Sequence, residues 1–475
     1  MEDFRNRRIS VIGAARSGLS AARVLVELGA DVLLSDGKTA EQLGAARVAE
    51  IEETRAAFVL GASSEMALPD GTKLVVTSPG VPRNAPVLLE AVRRDIPIWS
   101  EIELAYRITD APIVAVTGTN GKTTTVLLIA AMLDAAGIPN IVCGNVSADE
   151  IKRSLTDAAD ATRNLPENEL PVLVAEISSF QLEWVHEFRP KVGVLTNITP
   201  DHMDRYENFA DYQATKARMF EAQTPEDWAV INHRDLGARG AAQLYLFKPE
   251  RPHKILWLWR FQRSEYRQTA SVQDGIIEID LKTGGCARAI MNVADFPPSL
   301  PGKYSIENVL AAASAALILG ATPEAIAEAV RNFGGVAHRM EFVREVGGVR
   351  YINNSMCTNV AAAVSSLRAI ETPVIAIMGG ADKELNFGDL AFALGNRAKR
   401  IVLIGSAADK IEAAFKRHGY DAISRADSLE NAVIIAREFA NPGDTIILSP
   451  ACASFDMFRD FEERGAIFRR LVAEI

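Results

Sequence analysis

The sequence predicts an α/β protein built from three domains. Short β-branched apolar runs alternate with helix-like patterns along most of the chain, which is typical of parallel sheets covered by helices. A chain of 475 residues is also too long for one hydrophobic core, and ordinary domain sizes favour roughly three cores. The third observation is a glycine-rich turn between an apolar strand and a helix at residues 117–125, here called the phosphate loop. We predict domains at residues 1–106, 107–336 and 337–475.

The first domain opens with a strand, a tight turn and a helix. Residues 9–12 form the predicted strand, and a second strand at residues 31–35 ends at Asp36, where a dinucleotide-binding domain carries its ribose-binding acid. Ala15 stands where the middle glycine of that fingerprint belongs, so NAD binding and an α/β unit without a nucleotide both stay open. A later strand ends in a turn at Ser78, at the edge where open sheets place their ligand loops.

The second domain opens with the phosphate loop. Gly118 and Gly121 let the backbone turn tightly so that successive N–H groups face a phosphate, and the helix that follows adds a favourable dipole. Lys122 is expected to reach the β- and γ-phosphates, and the Thr123 hydroxyl to hold Mg²⁺. A strict phosphate-loop motif would have one more glycine, at the position of Val116. The order of strand, turn, Gly-Lys-Thr and helix nevertheless predicts a nucleotide site.

Two buried strands near the phosphate loop end in groups that bind metals. The first delivers Glu176 and two hydroxyls at its end, and the second, over residues 192–198, leads to His202. Because parallel strands present their carboxyl ends at one edge of a sheet, Glu176 and His202 are the expected metal-facing side chains. Thr123 would complete an oxygen-rich shell suited to Mg²⁺. Taken singly, Glu176 also fits a capped strand end, and His202 fits a hydrogen-bonded turn.

Later segments carry less chemical information. Lys216 falls on a predicted helix, where the residue pattern alone favours a surface lysine. Residues 244–280 alternate as a half-buried sheet does. Asn308 lies at the start of an alanine-rich helix, from which it could meet a nucleotide base. The third domain begins after residues 335–341 and again alternates strand and helix patterns.

The composition excludes several protein classes. A hydrophobic content of 48% and a charged content of 24% are ordinary for a soluble protein, and a formal charge of −10 argues against a nucleic-acid partner. The cysteines are scattered without a CxxC pair, which argues against a disulfide framework and against a zinc site. The N-terminus lacks an apolar leader, and no apolar run reaches spanning length. We therefore predict a cytoplasmic protein without a membrane span, and a monomer by default.

Taken together, these motifs resemble the Mur ligase family of ATP-dependent amide-forming enzymes. The resemblance rests on TGTNGKTTT at 117–125, EISSFQLE at 176–183, TNITPDHMDRY at 196–206, HR at 338–339 and SPACASFDMFRDFEERG at 449–465. The last two long blocks are most similar to the branch that adds D-glutamate to UDP-N-acetylmuramoyl-L-alanine. The similarity runs from the first strand to the last helix.

The resemblance implies a fold, an activity and a set of catalytic residues. It implies a Rossmann-like N-terminal domain that binds UDP, a central ATPase domain, and a Rossmann-like C-terminal domain that binds glutamate. ATP would convert the precursor's carboxylate into an acyl phosphate, which the amine of glutamate then attacks. Lys122 would bind the transferred phosphate, while Thr123 and Glu176 hold one Mg²⁺. His202 would hold a second ion, and CO₂ would carbamylate Lys216 into an anion that supports the metal site.

The resemblance also implies three sets of binding residues. The nucleotide set is Gly118, Thr119, Asn120, Gly121, Lys122, Thr123, Thr124, Asn308 and Arg339. The substrate set in the first two domains is Arg16, Ser17, Asp36, Gly37, Ser78, Asn145 and Ser178. The glutamate set is Thr358, Lys383, Ser454 and Phe461. Asp36 thereby becomes a uracil or UDP contact, in agreement with the missing fingerprint glycine.

One stretch departs from the family pattern. Where the D-glutamate branch carries Asn-Asp-Ser-Lys-x-Thr-Asn, this chain has NNSMCTN at residues 353–359. Asn354 replaces an acid that contacts ATP, and Met356 replaces a lysine that pairs with a glutamate carboxylate. Losing a cation from an anion site weakens binding unless another positive group, such as Lys383, replaces it.

The departure leaves alternatives open. Met356 is compatible with a sister ligase that adds L-glutamate to the same precursor, and the two changes together are compatible with a nucleotide-binding regulator that turns nothing over. A folylpolyglutamate-type ligase fits less well, because the N-terminal domain and the ACAS block fit the peptidoglycan enzymes better. An NAD oxidoreductase fits least, because the phosphate loop would have no role in it.

Overall fold

The structure divides into two compact units. The computed structural model describes residues 2–146, 153–203, 205–246, 254–258, 268–281, 287–300, 302–368, 370–382, 386–394 and 397–475. The units are Met1–Asp295 with Glu307–Arg331, and Phe296–Ile306 with Asn332–Ile475. The first unit contains two sheets and the second contains one. The predicted α/β fold is confirmed, while the domain boundaries near residues 106 and 336 stay predictions.

The first sheet is entirely parallel and N-terminal. Its strands are β1 (Arg8–Ile12), β2 (Asp31–Asp36), β3 (Ala57–Leu60), β4 (Leu74–Thr77) and β5 (Ile98–Ser100). Its helices are α1 (Arg16–Glu27), α2 (Ala40–Leu43), α3 (Ala45–Glu53), α4 (Ser64–Ala67), α5 (Pro86–Arg93) and α6 (Glu101–Arg107). The strand order is β3-β2-β1-β4-β5, so the turns after β2, β1 and β4 are neighbours along one edge.

The second sheet has nine strands within the described residues. They are β6 (Ile113–Thr117), β7 (Asn140–Gly144), β8 (Val172–Glu176), β9 (Val192–Leu195), β10 (Trp228–Asn232), β11 (Lys254–Leu258), β12 (Gln268–Gln273), β13 (Ile276–Asp280) and β14 (Arg288–Asn292). The order is β14-β13-β12-β11-β10-β9-β6-β8-β7, with antiparallel pairing only from β12 to β14. The helices of this part are α7 (Lys122–Ala135), α8 (Leu155–Thr162), α9 (Phe209–Ala217), α10 (Leu236–Tyr245), α11 (Gly302–Ile318) and α12 (Pro323–Arg331). The sheet predicted for residues 244–280 is confirmed where β11, β12 and β13 lie, is wrong at residues 244–245, which end α10, and is otherwise partly outside the described residues.

The middle of this sheet explains where the phosphate loop lies. β6 pairs in parallel with β8 on one side and with β9 on the other. Every residue of these three strands is buried, which is why each one is a continuous apolar run in the sequence. Their carboxyl ends therefore bring the phosphate loop, Glu176 and the segment after β9 to one edge.

The third sheet forms the core of the second unit. Its strands are β15 (Glu341–Val346), β16 (Val349–Asn353), β17 (Val374–Gly379), β18 (Ala398–Ile404), β19 (Ile423–Arg425) and β20 (Thr445–Leu448), in the order β15-β16-β20-β17-β18-β19. β15 pairs antiparallel with β16, and the other pairs are parallel. The helices are α13 (Val360–Arg368), α14 (Gly388–Leu394), α15 (Ala408–Arg417), α16 (Leu429–Glu438) and α17 (Phe461–Ala473).

Several helices begin earlier than the apolar pattern predicts. α1 starts at Arg16, before its first apolar residue Leu19, and α7 starts at Lys122, before its first apolar residue Val126. The first turn of each helix is polar, and an apolar periodicity does not register a turn that faces solvent or a ligand. In the described part of the chain, no helix combines the length and the apolarity needed to cross a membrane.

A buried acid fixes the segment that precedes β9. The Glu103 side chain on α6 is fully buried, and its carboxylate accepts the backbone N–H groups of His186, Glu187 and Phe188 at 2.9 Å each. Arg107, one turn later on α6, donates to the same carboxylate at 2.8 Å. These charge-assisted bonds attach the last helix of the first domain to the core of the second.

We expect Glu103→Gln to destabilise this part of the protein. The amide would place an NH₂ group against three backbone donors and leave Arg107 without its buried partner, at a cost of roughly 3 kcal/mol. A drop of several degrees in the first thermal unfolding transition would report this loss. The exposed Glu53, changed to Gln, is the matched control and should leave the melting curve as it is. If the first thermal unfolding transition of Glu103→Gln stayed at the wild-type temperature, the stabilising role of Glu103 would be contradicted.

Candidate active site

Two glycines give the phosphate loop its shape. Gly118 has φ of 148° and Gly121 has φ of 84°, conformations that favour glycine. A Cβ on Gly118 would lie 2.0 Å from Thr196 Oγ1, and a Cβ on Gly121 would lie 2.3 Å from Asn308 Oδ1. Neither position has room for a side chain. The loop therefore presents bare backbone at a helix N-terminus, as a phosphate cradle requires.

Asn197, directly after β9, braces the loop from the side. Its backbone carbonyl accepts the Thr119 N–H, and its Oδ1 accepts the Asn120 N–H, both at 2.9 Å. Asn197 Nδ2 donates to the Asn120 carbonyl at 3.0 Å, and Thr196 Oγ1 donates to the same oxygen at 2.7 Å. The sequence pattern gave Asn197 no separate role. The signal that could have found it is its place at the end of the strand beside β6.

Thr123 and Glu176 meet at the carboxyl edge of the sheet. Thr123 Oγ1 donates to Glu176 Oε2 at 2.6 Å, and both side chains are buried. Within the described ranges, no three His, Cys, Asp or Glu side chains cluster as a self-sufficient metal site. Mg²⁺ commonly takes only one or two protein oxygens and completes its shell with waters and phosphates. The hydroxyl and carboxylate beside a phosphate cradle therefore fit Mg²⁺ bound together with a nucleotide.

Lys216 is a buried amine at the phosphate loop. Only 2% of the residue is exposed, so the surface position that its sequence pattern favours is wrong. Lys216 Nζ donates to the Gly118 carbonyl at 3.0 Å and lies 4.9 Å from the centre of the Tyr212 ring. Burial, and next to it the charge of Lys122, hold the pKa of Lys216 well below its usual value. The sequence missed this burial because the loop that covers the lysine is distant in the chain.

His202 lies among aromatic rings. Its ring centre is 4.8 Å from that of Phe180 and 6.4 Å from that of Tyr212, and its Nε2 is 3.6 Å from Asp201 Oδ2. The residue has φ of 54°, and about half of its side chain, 47%, is exposed. Among the described residues, no hydrogen bond joins His202 to Glu176. The structure therefore brings Thr123 and Glu176 together but leaves His202 beside them, with an imidazole accessible from solvent.

The remaining nucleotide positions of the first unit surround the loop. Lys122 Nζ donates to the Thr119 carbonyl at 3.2 Å. Asn308, on α11, lies against Gly121 and accepts a long hydrogen bond of 3.5 Å from Thr125 Oγ1. Thr124 is half-buried in the first turn of α7. The predicted place of Asn308 at a helix start is wrong, because α11 already begins at Gly302, but its amide does lie at the phosphate loop.

The substrate positions of the first domain lie on neighbouring turns. Asp36 Oδ2 accepts the Ala14 N–H at 2.8 Å, and the Ser78 hydroxyl donates to the Gly13 carbonyl at 2.9 Å. Asp36 at the end of β2 and Ser78 at the end of β4 therefore support the turn after β1 from both sides. Gly37, which follows Asp36, is exposed and faces open space.

Arg16 reaches from the first domain to the second. Its Nη2 donates to the Gly144 carbonyl at the end of β7, at 3.3 Å. The next residue along, Asn145, is exposed, and its N–H donates to the Glu176 carbonyl at 2.8 Å. Ser17 is half-buried beside Arg16. The predicted substrate contacts Arg16 and Asn145 thus lie along one path that ends at Glu176.

Ser178 belongs to a buried polar chain that the sequence did not reveal. Its N–H and its hydroxyl both donate to Gln181 Oε1, at 2.8 Å and 3.0 Å. Gln181 Nε2 in turn donates to Glu101 Oε1 at 2.8 Å. Glu101 is the first residue of α6, at the carboxyl end of β5. Its partners are far away in the chain, so no local pattern marks it.

In the second unit, the predicted glutamate positions follow adjacent strands. Thr358 is half-buried after β16, and Ser454 is buried after β20, the neighbouring strand. Phe461 begins α17, and its carbonyl accepts the Ser355 hydroxyl at 2.7 Å. These positions share the carboxyl edge of the third sheet. Lys383 lies outside the described residues.

Arg339 lies in a strained turn. Its neighbours His338 and Met340 have φ of 60° and 46°, in the left-handed region. His338 is buried, and its Nδ1 lies 2.9 Å from Asn353 Nδ2. A Cβ on Gly465 would approach that same Nδ1 to 2.1 Å, so a glycine is required there. The packing of His338 thereby fixes the backbone that carries the half-buried Arg339.

Arg464 is a further residue that the sequence did not single out. The guanidinium is fully buried and donates to the Ser355 hydroxyl at 3.0 Å, the Ser355 carbonyl at 2.8 Å and the Cys452 carbonyl at 3.2 Å. Burial lowers the pKa of Arg464 to about 10, so the group stays charged at neutral pH. The predicted glutamate domain therefore carries a fixed positive charge in its core.

We expect Gly118→Ala to weaken nucleotide binding by at least about tenfold, because a Cβ in the loop's glycine-only conformation also meets Thr196 and the Asn197 backbone. Titration with a fluorescent ATP analogue would measure the change. Gly137→Ala is the matched control, because Gly137 also has a positive φ, 69°, but faces open space. The control should lose some thermal stability and keep its nucleotide affinity. Equal nucleotide affinities in the two variants would contradict the role of the phosphate loop in binding the nucleotide.

Comparisons with known proteins cover the whole chain. Models of the MurD-like N-terminal domain, the Mur ligase middle domain and the Mur ligase glutamate ligase domain match residues 7–100, 116–316 and 338–452. A UDP-N-acetylmuramoylalanine--D-glutamate ligase from Pelotomaculum thermopropionicum is 42% identical over 479 residues, which is 100% of this chain and 99% of the relative. The protein of the same name from Thermoanaerobacter sp. is 37% identical over 478 residues, with the same coverage.

Two solved structures share the fold at low sequence identity. The UDP-N-acetylmuramate-alanine ligase MurC from Thermotoga maritima has a TM-score of 0.56 at 17% identity and covers 98% of this chain and 99% of its own. A pseudomurein peptide ligase type C from Methanothermus fervidus has a TM-score of 0.53 at 18% identity, with 99% and 100% covered. Mur ligases generally use ATP and Mg²⁺, which agrees with the cradle and the oxygen pair described above. The match of all three domains and the identity over the full chain confirm the resemblance: this chain belongs to the Mur ligase family.

Proposed function

We propose that this protein joins D-glutamate to UDP-N-acetylmuramoyl-L-alanine in an ATP-dependent step of peptidoglycan precursor synthesis. The observation that carries the proposal is the buried cluster at the phosphate loop, where the Thr123 hydroxyl meets the Glu176 carboxylate near the Lys216 amine. Such a cluster suits phosphoryl transfer, in which the protein supplies positioning and charge. Identity of 42% and 37% to D-glutamate ligases supports D-glutamate as the amino acid.

The proposed reaction has two steps. A carboxylate oxygen of the precursor attacks the γ-phosphorus of ATP, the bond to ADP breaks, and an acyl phosphate forms. The amine of D-glutamate then attacks the acyl carbon, the carbon–oxygen bond to phosphate breaks, and the amine proton leaves with solvent. Lys122 and the loop backbone would hold the γ-phosphoryl group in line for the first step. The protein is proposed to carry out both steps as a monomer.

Thr123 and Glu176 are the proposed ligands of one Mg²⁺, and His202 is the proposed ligand of a second. Ions at these places would neutralise the charge that builds up on the phosphoryl oxygens. The hydrogen bond to Glu176 fixes the rotamer of Thr123, so that its oxygen lone pairs are oriented before a nucleotide arrives. The imidazole of His202 is accessible from solvent, which supports the proposal that it binds its metal ion only when the substrates bind.

Lys216 is proposed to be carbamylated. Its neutral amine would attack CO₂, a nitrogen–carbon bond would form, and the nitrogen would release one proton, which converts a neutral amine into an anion. Only a neutral amine can make this attack, and the lowered pKa of Lys216 raises the neutral fraction at neutral pH. The anion would then face the cationic Lys122, whose charge already acts on Lys216. That attraction supports an anion at this position.

Thr358, Ser454, Phe461 and Lys383 are the proposed glutamate contacts, and Arg339 a nucleotide contact. Asn354 does not weaken this proposal, because its buried amide makes hydrogen bonds within the core of the domain. Its Nδ2 donates to Ser366 and Ser449 at 2.9 Å and 3.3 Å, and its Oδ1 accepts the Met340 N–H at 3.1 Å.

Met356 is the reason to keep one alternative, the sister ligase that adds L-glutamate. Met356 is half-buried and replaces the lysine that the family pattern pairs with a glutamate carboxylate. The buried guanidinium of Arg464 supplies positive potential in the same domain, which supports anion binding without that lysine. This long-range charge has no preference for either configuration, so the choice between the enantiomers needs an assay.

Phosphate release is the assay that tests the proposed function. Purified protein with ATP, Mg²⁺ and UDP-N-acetylmuramoyl-L-alanine should release phosphate when D-glutamate is added and not when L-glutamate is added. Lys122→Ala should abolish the release, which excludes a contaminating ATPase. Release only with L-glutamate would establish the alternative. No release with either amino acid, despite nucleotide binding, would instead indicate a regulator without turnover.

A carbamate at Lys216 should be directly visible by NMR. With ¹³C-bicarbonate, the wild-type protein is expected to show a carbamate resonance that is absent from Lys216→Arg. Because the arginine would bring a cation to the metal site, kcat should fall by about a hundredfold or more. Lys73→Arg, at an exposed lysine, is the control and should keep both the resonance and the activity. A resonance that persists in Lys216→Arg would place the carbamate elsewhere.

A further inference from the structure

The buried polar chain at the start of α6 has one oxygen without a partner. Glu101 is 1% exposed, and its Oε1 accepts Gln181 Nε2 at 2.8 Å. Its other oxygen, Oε2, is buried and has no hydrogen-bond partner among the described residues. A buried carboxyl oxygen without a partner is costly, and folded proteins keep few of them. The position therefore calls for an explanation other than packing.

The neighbouring acid on the same helix shows what a purely structural acid does here. Glu103 is equally buried, but its two oxygens accept three backbone N–H groups and the Arg107 guanidinium. Glu101 lacks any such partner set. Glu103 therefore stabilises the fold through its hydrogen bonds, whereas Glu101 keeps one oxygen that no hydrogen bond satisfies.

Glu101 stands between two groups of proposed substrate contacts. On one side, Gln181 holds it and in turn accepts the N–H and the hydroxyl of Ser178. On the other side, the Ser17 side chain and the charge of Arg16 both act on its carboxyl. The acid thus lies where the first domain's turn meets the second domain's Ser178 loop.

The surroundings favour a neutral carboxyl. Burial raises the pKa of Glu101 to about 7, against the opposing effects of Gln181, Ser17 and Arg16. Arg16 is the cation acting on it from α1. On α8, which packs along α6, Asp157 and Asp160 are both paired with Arg23. Glu183, after the short helix that carries Gln181, is likewise paired with Arg205.

An anionic substrate would strengthen this preference. The proposed precursor carries a diphosphate and a carboxylate, and a buried carboxylate next to it would repel it. A neutral acid avoids the repulsion and gains a donor, because Oε2–H can then donate a hydrogen bond while Oε1 still accepts one.

We propose that Glu101 is a positioning residue of the precursor site, a neutral acid that accepts Gln181 Nε2 at Oε1 and whose Oε2–H is left to donate to the Arg16–Ser17 turn when the precursor binds. In this role Glu101 connects the Arg16 turn to the Ser178 loop. The two segments are thereby held in the relative position in which both contact the precursor. Ionisation of Glu101 removes the donor and adds a negative charge, and both changes weaken precursor binding. This inference rests on the proposed function, because it takes the anionic precursor as the ligand.

Glu101→Gln provides the sharpest test, because an amide keeps one acceptor and one donor in the same places but cannot ionise. In the wild type, KM for the precursor should rise by about tenfold between pH 6.5 and 8.5, because only the protonated fraction binds well. In Glu101→Gln the same KM should stay within about twofold over this range, with kcat near the wild-type value. A rise in the variant equal to that in the wild type would overturn the proposal.

Glu101→Ala removes both contacts. It should raise KM for the precursor by about tenfold at pH 6.5 and leave KM for ATP and kcat within about threefold, a split that general damage to the fold would not give. Calorimetric binding of the precursor without ATP should weaken by the same factor. A wild-type KM in this variant, or equal losses for all three substrates, would contradict a positioning role.

The control and the wild type separate the possible failures. Glu53→Gln, which changes an exposed acid and is expected to leave the fold intact, should keep the pH-dependent rise in KM. A flat profile in this control would contradict the assignment to Glu101. If the wild-type protein neither binds the precursor nor releases phosphate, the proposed function fails and this inference fails with it. If the wild type is active and Glu101→Ala behaves like it, only this inference fails.

Discussion

The hydrogen bond from Thr123 to Glu176 is the contact on which the rest of the site depends. It exists because β6 and β8 are adjacent parallel strands, so the helix that follows one strand and the last side chain of the other share an edge. On the far side of β6, the segment after β9 clamps the loop through Asn197. The arrangement of three buried strands thus fixes loop, acid and brace at once. A catalytic centre built on sheet edges in this way is rigid before any ligand binds.

The sequence predicted the parts that are local. The phosphate loop, the strand that ends at Glu176 and the alternation of strands and helices all follow from short-range patterns, and the structure agrees with them. The burial of Lys216 is different, because the groups that cover it come from the loop at Gly118, far away in the chain. Glu101 and Arg464 are hidden for the same reason. No periodicity marks a charge whose environment is made by tertiary contacts.

Three buried ionisable side chains lie where anions are proposed to bind. Lys216 lies at the phosphate loop, Glu101 at the precursor contacts and Arg464 in the glutamate domain, and each is nearly inaccessible to solvent. Burying a charge without a close counter-ion costs stability, so these positions are expected to contribute to function more than to folding. In each case burial shifts the pKa in the direction that favours the neutral form, and Arg464, whose pKa is lowered to about 10, still stays charged at neutral pH.

The contact between Gly121 and Asn308 ties together two distant parts of the chain. With Asn308 Oδ1 only 2.3 Å from where a Cβ at position 121 would lie, the helix that carries Asn308 closes the space behind the loop. A side chain at position 121 would meet the Asn308 amide, and the φ of 84° at this position also favours glycine. The shape of the loop therefore depends on a side chain that lies far away in the chain, and a side chain at position 121 would have to displace Asn308 before the loop could form.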